Sequence, residues 1–420
     1  MAGTGRTWGR TAARGALLCA LVFGLASPVL AQDATPPWPE ESCTVEGDPD
    51  NPYAEKTLVC VPHPDDWNGT LVVYAHGYVA PQKPLALPTE ELGRVTGPGE
   101  PTLIERLLDW GFAFATTSYS KNGYALEQAD ADLDALVDEF AAGYGPLPVQ
   151  VLLVGASEGA LITIQQIEQD PLERYQGGLA LCGPVAGMPY QVKYLGDFRA
   201  AFDHFFPEVF GFGTVDLPRF STHDAALDAW SIYTPTISSA ILDHPFRTNQ
   251  LFRLTRAARA WSDPQGTAVE TALDVLFYNF FGMRDAIETM GGVPYDNEDT
   301  RYWGSFNDWR LNRNVEHVAG DDEALRYTED FYEPTGEVSR PLVTLHTTHD
   351  PAVPYRHQLT YADRVRRSGS EGNVTQIPVL RYGHCEFSAE EVLGAFGLLV
   401  HQTGGTTVPA LEAYRLSLPQ

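Results

Sequence analysis

The chain has 420 residues, 44% of them hydrophobic, and carries a formal net charge of −27. That length accommodates one domain with a large insertion and a substantial buried core. So acidic a surface repels polyanions, which makes nucleic acid and anionic membranes poor partners, and neither a basic stripe nor zinc-finger spacing argues otherwise.

Residues 1–31 combine Arg6, Arg10 and Arg14, an apolar run over 15–26, and the small-residue site Val29-Leu30-Ala31, the pattern of a cleavable export signal. The run is too short for a stable membrane span, and no other stretch is long and apolar enough, so a secreted or periplasmic mature chain without a span is expected. Four cysteines follow, Cys43, Cys60, Cys182 and Cys385. An even number in an exported chain favours disulfides over metal. Cys43 and Cys60 flank an expected N-terminal hairpin and are paired on that ground, which leaves Cys182 for Cys385. Residues 32–42 are Pro-rich and polar, a disordered lead-in.

From there the elements follow in order. Residues 57–61 and 70–75 are β-branched, apolar runs around a Pro/Asp/Asn/Gly-rich turn and read as strand, turn, strand. A helix is expected over 102–110, stopped by Gly111, then a strand over 112–117. Residues 125–142 place Leu126, Ala129, Leu133, Leu136, Val137 and Phe140 on one helical face and Asp130, Asp132, Asp134 and Asp138 towards water. An apolar strand over 149–154 runs into Gly155-Ala156-Ser157-Glu158-Gly159 and a helix bearing Leu161, Ile162, Ile164 and Ile167, and 178–182 reads as another strand. This alternation implies right-handed crossovers and a mostly parallel sheet.

The alternation breaks over 188–339, where aromatic-rich helical runs dominate, including 248–261 and 267–281. It resumes with a strand over 341–347, a helix over 355–365, a last strand over 376–381, and a capping box, Ser388 with Glu391, opening a final helix. The organisation expected is therefore a core over 43–187, a helical cap over 188–339 and the rest of the core over 340–420. Within the cap, Tyr194, Leu195, Phe198, Phe202, Phe205, Phe206 and Phe210 share a helical face, which reads as core packing, with a wall for an apolar acyl or aryl group as the alternative.

Gly-x-Ser-x-Gly between a buried strand and a helix is the context of a nucleophile elbow, in which small flanking residues let neighbouring backbone pass close by. A serine hydroxyl attacks only when a base takes its proton. Asp350, just beyond the strand 341–347, and His384, after the last strand, supply an acid and a base in the order Ser, acid, His. Asp350 could instead cap the following helix, with Asp321 or Asp330 serving as the acid. His346 and His349 lack the company that a zinc site needs.

Taken together these features resemble the α/β-hydrolase superfamily. The matching residues are His76-Gly77-Tyr78 at a strand end, the elbow 155–159, Asp350 followed by Val353 and Pro354, and Gly383-His384 ahead of the last helix, in that order over about residues 57–401 outside the cap. The resemblance implies an α/β-hydrolase fold, with a mostly parallel central sheet flanked by helices and a large helical cap inserted after the strand that follows the elbow helix. It implies Ser157 as nucleophile, His384 as general base and then acid, Asp350 holding the imidazole tautomer, and the backbone N–H groups of Tyr78 and Glu158 as oxyanion hole, with His76 bracing that loop. No cofactor or metal is implied.

His384-Cys385 also resembles the His-Cys pair of secreted tannase and feruloyl esterase enzymes, in which a second cysteine directly precedes the nucleophile and bridges to the first. Ala156 stands at that place here, and Cys182, one strand along, is the available partner. The function expected is a secreted serine hydrolase that cleaves carboxylic esters of small molecules through an acyl-enzyme. One alternative is a serine peptidase of prolyl-oligopeptidase type, for which neither a propeller nor an acidic pair gripping a substrate amine can be assigned. The other is a catalytically silent, hydrolase-like binding protein, against which stands the retention of all three residues.

Overall fold

The computed structural model describes residues 36–405 apart from 49, 52–53, 94–99, 145–146, 171, 219 and 221. The expected export signal and residues 32–35 lie outside the described residues. The first half of the chain supplies β1 (Cys43–Gly47), β2 (Lys56–Cys60), β3 (Thr70–Ala75), α1 (Thr89–Gly93), α2 (Leu103–Asp109), β4 (Ala113–Thr117), α3 (Leu126–Gly143), β5 (Gln150–Ala156), α4 (Glu158–Gln169) and β6 (Gly177–Leu181). Six helices follow: α5 (Met188–Phe205), α6 (His223–Asp243), α7 (Pro245–Thr255), α8 (Gly266–Thr289), α9 (Asp308–Asn314) and α10 (Asp322–Tyr332). Strands return with β7 (Leu342–His349), α11 (Arg356–Ser368), β8 (Val374–Tyr382) and α12 (Ala389–Gln402).

The strands form one sheet in the order β1-β2-β4-β3-β5-β6-β7-β8. Only β2 breaks the parallel run, pairing antiparallel with β1 and with β4. All residues of β3, β4 and β6 are buried, as expected of parallel strands covered by helices on both faces, and this is why they read as unbroken apolar runs. Because parallel strands all end on one edge, the loops after β3, β5, β6, β7 and β8 converge there.

Local signals account for several element ends. Thr102 with Glu105 and Ser388 with Glu391 form reciprocal capping boxes that open α2 and α12. α3 buries the six apolar side chains expected of it. Its acids divide, however. Asp132 accepts hydrogen bonds from Ser120 and Asp138 pairs with Arg174, whereas Asp130 is turned inwards beside α4, and burial pushes its carboxyl up to about 7.

β4 lies between β2 and β3, so the strands read over 57–61 and 70–75 are not neighbours in the sheet; β2 pairs on its outer side with β1, where Cys43 faces Cys60 and is bonded to it. Three other readings are corrected. The helix expected over 248–261 ends at Thr255, where Arg256 takes a left-handed conformation, and the chain beyond turns onto α8 through the Ala260 N–H and Ala258 carbonyl, bound by Thr267 and Thr271. The helix expected over 267–281 continues to Thr289. In the expected disordered lead-in, Trp38 packs against the cluster that holds Leu58, Phe112 and Phe396.

The phenylalanines of α5 and of the turn after it are core. Phe198, Phe202, Phe206 and Phe210 are buried with Ile237, Ile241, Leu251, Phe252 and Leu276. A second cluster runs without interruption from β3, β5, α3 and α4 into Met188, Val192, Met283 and Met290, so the helices between β6 and β7 share buried surface with the sheet. None of the described helices is long and apolar enough to cross a membrane.

Arg199, fully buried in α5, ties this helical segment together. Its Nε donates to Asp203 at 2.8 Å, its other nitrogens to Asn279 Oδ1 and the Phe212 carbonyl, and its guanidinium lies 4.0 Å over the Phe210 ring. Burial pushes the Asp203 carboxyl up to about 6, against the pull of Arg199. Truncation would strand that carboxylate and empty the space between the rings. Arg199→Ala is expected to cost about 3–5 kcal/mol in denaturant unfolding; a loss below about 1 kcal/mol would show that the segment is held by its aromatic packing alone.

Candidate active site

β5 turns into α4 through a backbone that tolerates no side chain at two positions. A Cβ on Gly155 would lie 2.0 Å from the Gly159 carbonyl oxygen, and one on Gly159 would lie 2.0 Å from the Ala75 carbonyl oxygen. Between them Ser157 has φ 55° and ψ −118°, a region that costs about 1–3 kcal/mol for a residue with a side chain and persists where the surroundings enforce it. Here they do so through the packed glycines and through the Ser157 N–H, which donates to the Leu181 carbonyl at 2.9 Å.

Ser157, His384 and Asp350, from three different loops, meet in one hydrogen-bond chain. Ser157 Oγ is 3.0 Å from His384 Nε2, and His384 Nδ1 is 2.8 Å from Asp350 Oδ2. With Nδ1 donating to the carboxylate, Nε2 is left to accept from the serine hydroxyl. The Asp350 side chain is fully buried, and its other oxygen accepts from the Ala352 and Val353 N–H groups at 2.9 and 2.8 Å. A buried anion so supplied with donors is the arrangement that low dielectric permits. Asp321 is used elsewhere, accepting from the Val293 N–H, and Asp330 is exposed on α10.

His346, on β7, is also near Asp350, 3.6 Å away. Its Nε2 donates to the Val353 carbonyl, and burial lowers its pKa, so it stays neutral and competes little for the carboxylate. His349 lies outside this chain, its Nε2 accepting from Trp261 Nε1 at 3.0 Å.

The acid loop is held from the helical segment. Tyr194 donates to the Pro351 carbonyl and Gln191 to the Ala352 carbonyl, both at 2.8 Å, and Gln191 in turn accepts from His357. The base loop is held from the sheet, where Thr347 donates to the Gly383 carbonyl and Arg381 spans the loop to the Glu386 carbonyl and Glu391.

The loop after β3 is shaped by two side chains. His76 Nδ1 donates to the Gly77 carbonyl at 2.7 Å, its ring stacked 3.9 Å from that of Tyr119. In a trans peptide the carbonyl and the next N–H point opposite ways, so fixing the Gly77 carbonyl also fixes the Tyr78 N–H. On the other side Glu91 accepts from the Gly77 N–H at 3.0 Å and from the Tyr74 hydroxyl at 2.6 Å. A side chain on Gly77 would meet Ser157 Cβ at 3.1 Å, so this loop passes directly against the serine. Glu91 was not among the sequence candidates, because nothing in Thr89-Glu90-Glu91 ties it to a loop fourteen residues away.

Glu158, first residue of α4, has a backbone N–H without an intrahelical acceptor. Its side chain points away, accepting from the Ala125 N–H, and burial pushes its carboxyl well above the usual range.

Cys182, at the end of β6, is bonded to Cys385, with Cα atoms 5.2 Å apart. Although β7 lies between their strands, the loops lean together over its end. Both cysteines adopt left-handed backbone, φ 48° and 55°, and Cys385 Sγ is 3.6 Å from His384 Nε2. Among the described residues, the one cluster with metal-holding spacing is Cys182, His384 and Cys385, and both of its sulfurs are spent in this bond. The bridge differs from that of the tannase and feruloyl esterase enzymes in coming from the neighbouring strand rather than from position 156.

No protein-family model and no curated protein matches the sequence. Among solved structures, an esterase from Pyrococcus furiosus is similar at 15% identity and a TM-score of 0.42, over 84% of this chain and 87% of that one. The rice cell wall degrading esterase LipA from Xanthomonas oryzae is similar at 15% identity and a TM-score of 0.41, over 83% and 84%. An acylaminoacyl peptidase from Pyrococcus horikoshii is similar at 10% identity and a TM-score of 0.40, over 86% of this chain and 41% of that one. These likenesses are distant, and the architecture is decided by the chain itself. Its strand order with one antiparallel strand near the edge, its elbow between β5 and α4, and its loops after β7 and β8 meeting that elbow give it the fold of the α/β-hydrolase superfamily.

Proposed function

We propose that the protein is a serine hydrolase that cleaves carboxylic esters through an acyl-enzyme. The observation that carries this reading is the continuous chain Ser157, His384, Asp350, with both hydrogen bonds at working length. In the reaction proposed, Ser157 Oγ attacks the ester carbonyl carbon as its proton passes to His384 Nε2. The imidazolium is stabilised by Asp350, and the oxyanion is met by the N–H groups of Tyr78 and Glu158. Collapse breaks the acyl C–O bond, and the departing alcohol takes the proton from His384. Water then attacks the acyl-serine with His384 again as base, releasing the acid and restoring the hydroxyl.

The segment 188–339 serves in this reading as a cap that shapes the substrate pocket, supported by its place between β6 and β7 and by its grip on the acid loop. Export to an oxidising compartment is supported by the two disulfides.

A fluorophosphonate is expected to label Ser157, since only a base-activated serine attacks phosphorus readily. Labelling that survives Ser157→Ala would move the nucleophile elsewhere. A panel of p-nitrophenyl esters, aryl esters and dipeptide anilides separates ester from peptide cleavage, and turnover confined to the anilides would reject the ester assignment. Asp350→Asn is expected to keep the fold and lower kcat by roughly four orders of magnitude, the imidazole being left in the wrong tautomer; a loss of under about tenfold would hand the acid role to another residue.

The Cys182–Cys385 bond restrains the loop carrying His384. Replacing both cysteines by serine is therefore expected to lower kcat by roughly tenfold or more while KM changes little, because a small misplacement of the base raises the barrier steeply. Full activity in a variant whose unfolding midpoint has dropped would make the bond a stability element only.

A further inference from the structure

The chain carries its charge unevenly. Residues 244–262, which contain α7 and the tail after it, hold four arginines and no acid, and 301–315, which contain α9, hold three arginines and one acid, Asp308. The fold brings the two segments together. Phe246, Gln250 and Arg253 share one face of α7, and the turn 304–306 lies against it. Phe306 donates its N–H to Gln250 Oε1 at 2.8 Å, its ring stacks on that of Phe246 with centroids 4.3 Å apart, and the Arg253 guanidinium stands 5.9 Å over it. No basic stripe shows in the sequence because this face is assembled from two separate segments.

Two features of this face need an explanation. The first is its rings. Trp303, Phe306 and Trp309 are 71%, 67% and 70% exposed, and with Trp261 at 88% the two segments hold every exposed tryptophan among the described residues. The backbone beneath the rings is built without them: Asp308 accepts from the Gly304 and Ser305 N–H groups, Asn312 exchanges two hydrogen bonds with the Tyr302 backbone, and Asn307 caps α9. Three rings so displayed offer roughly 300–500 Å² of apolar surface, an amount that on a folded monomer marks a contact surface. The second feature is its cations. Among the described residues no carboxylate forms an ion pair with Arg253, Arg301, Arg310 or Arg313, whereas Arg174, Arg340 and Arg381 on the rest of the chain each meet one. Arg313 is laid instead over the Trp309 ring, 5.3 Å from its centroid.

We propose that this face binds an acidic polysaccharide, a polyuronate chain whose sugar rings stack on Trp303, Phe306 and Trp309 while its carboxylates pair with Arg253, Arg310 and Arg313. A pyranose ring has a flat face of C–H bonds whose partial positive charge suits the negative face of an aromatic ring, and a guanidinium takes a carboxylate in two parallel hydrogen bonds. One repeating unit meets both needs. Thickness sets this partner apart from an anionic membrane, because charges more than about 8 Å away are screened at physiological salt. A single chain lying on the face is met by the local arginines, whereas a bilayer also confronts the acids that give the whole protein its charge of −27. Single-stranded nucleic acid shares the stacking and the charge, but is disfavoured by the export that the two disulfides support. The tail of α7 leads from this face to the catalytic edge, where Trp261 donates to His349, next to Asp350. On the reading of the site as an ester hydrolase, the face holds polymer-borne esters beside that edge.

Titration calorimetry of the full chain with sodium polygalacturonate is expected to show binding that weakens several-fold between about 50 and 300 mM NaCl. Trp303→Ala combined with Trp309→Ala should weaken it by roughly 10-fold, and Arg310→Glu combined with Arg313→Glu by at least as much while flattening the salt dependence. All four side chains are exposed, so both variants are expected to keep the wild-type unfolding midpoint. Neutral hydroxyethyl cellulose should bind more weakly than polygalacturonate. Ser157→Ala should bind as the wild type does, which keeps this inference separable from the reading of the catalytic site. Absence of polygalacturonate binding by the wild type, or undiminished binding in both double variants, would overturn it. So would equal binding of the neutral polymer, or tighter binding to phosphatidylserine vesicles or to oligothymidylate. Self-association of the wild type that disappears in the tryptophan variant would also overturn it, by making the face a contact between copies of the chain.

Discussion

The site depends on the close approach of three pieces of backbone at the end of β5. Because Gly155 and Gly159 have no side chains, the elbow, the start of α4 and the end of β3 come within contact distance, and Ser157 is forced into a conformation that it would not choose alone. The same approach sets Gly77 against the serine. A Cβ at Gly159 would meet the Ala75 and His76 carbonyls and push the loop after β3 away from Ser157, and with it the N–H of Tyr78, while one at Gly155 would push against the start of α4. Parallel strands then do the rest, delivering the loops of Asp350 and His384 to that edge.

Asp350 is buried and supplied by two N–H groups and an imidazole. His76, His346 and His357 are buried, and burial lowers the pKa of each, so they act as neutral, oriented hydrogen-bonding groups. His76 sets the peptide before Tyr78, His346 lines the acid pocket, and His357 links α11 to Gln191 and the Ala186 N–H. Carboxyls with weaker support, such as Glu158, are pushed upwards, and Glu158 contributes to the edge through its backbone instead.

The two loops that must meet the serine are braced by different parts of the chain. The base loop is tied to the sheet by Thr347, by Arg381 and by the bond to Cys182. The acid loop is tied to α5 by Tyr194 and Gln191. The helices between β6 and β7 are therefore coupled to the acid loop itself and, through α8, to Tyr382 and Tyr78, and the buried cluster shared by sheet and helices makes that coupling stiff.

The sequence by itself determined the alternating architecture, the position of the long helical segment and the elbow, because each of these is written in local terms: unbroken apolar runs for covered parallel strands, capping boxes for α2 and α12, and small residues around Ser157. The order of Ser157, Asp350 and His384 was legible too, as was the pairing of Cys43 with Cys60. What only the tertiary structure decided are contacts between residues with no fixed spacing. β4 inserts between β2 and β3, Glu91 grips Gly77, α5 holds the acid loop, and Cys182 reaches Cys385 across β7. The inward turn of Asp130 and the stop of α7 at Arg256 belong to the same class. Helical and strand periodicity report which face of an element is buried, but not what lies opposite it; that depends on how distant segments pack, and the chemistry at this edge is assembled almost entirely from such pairs.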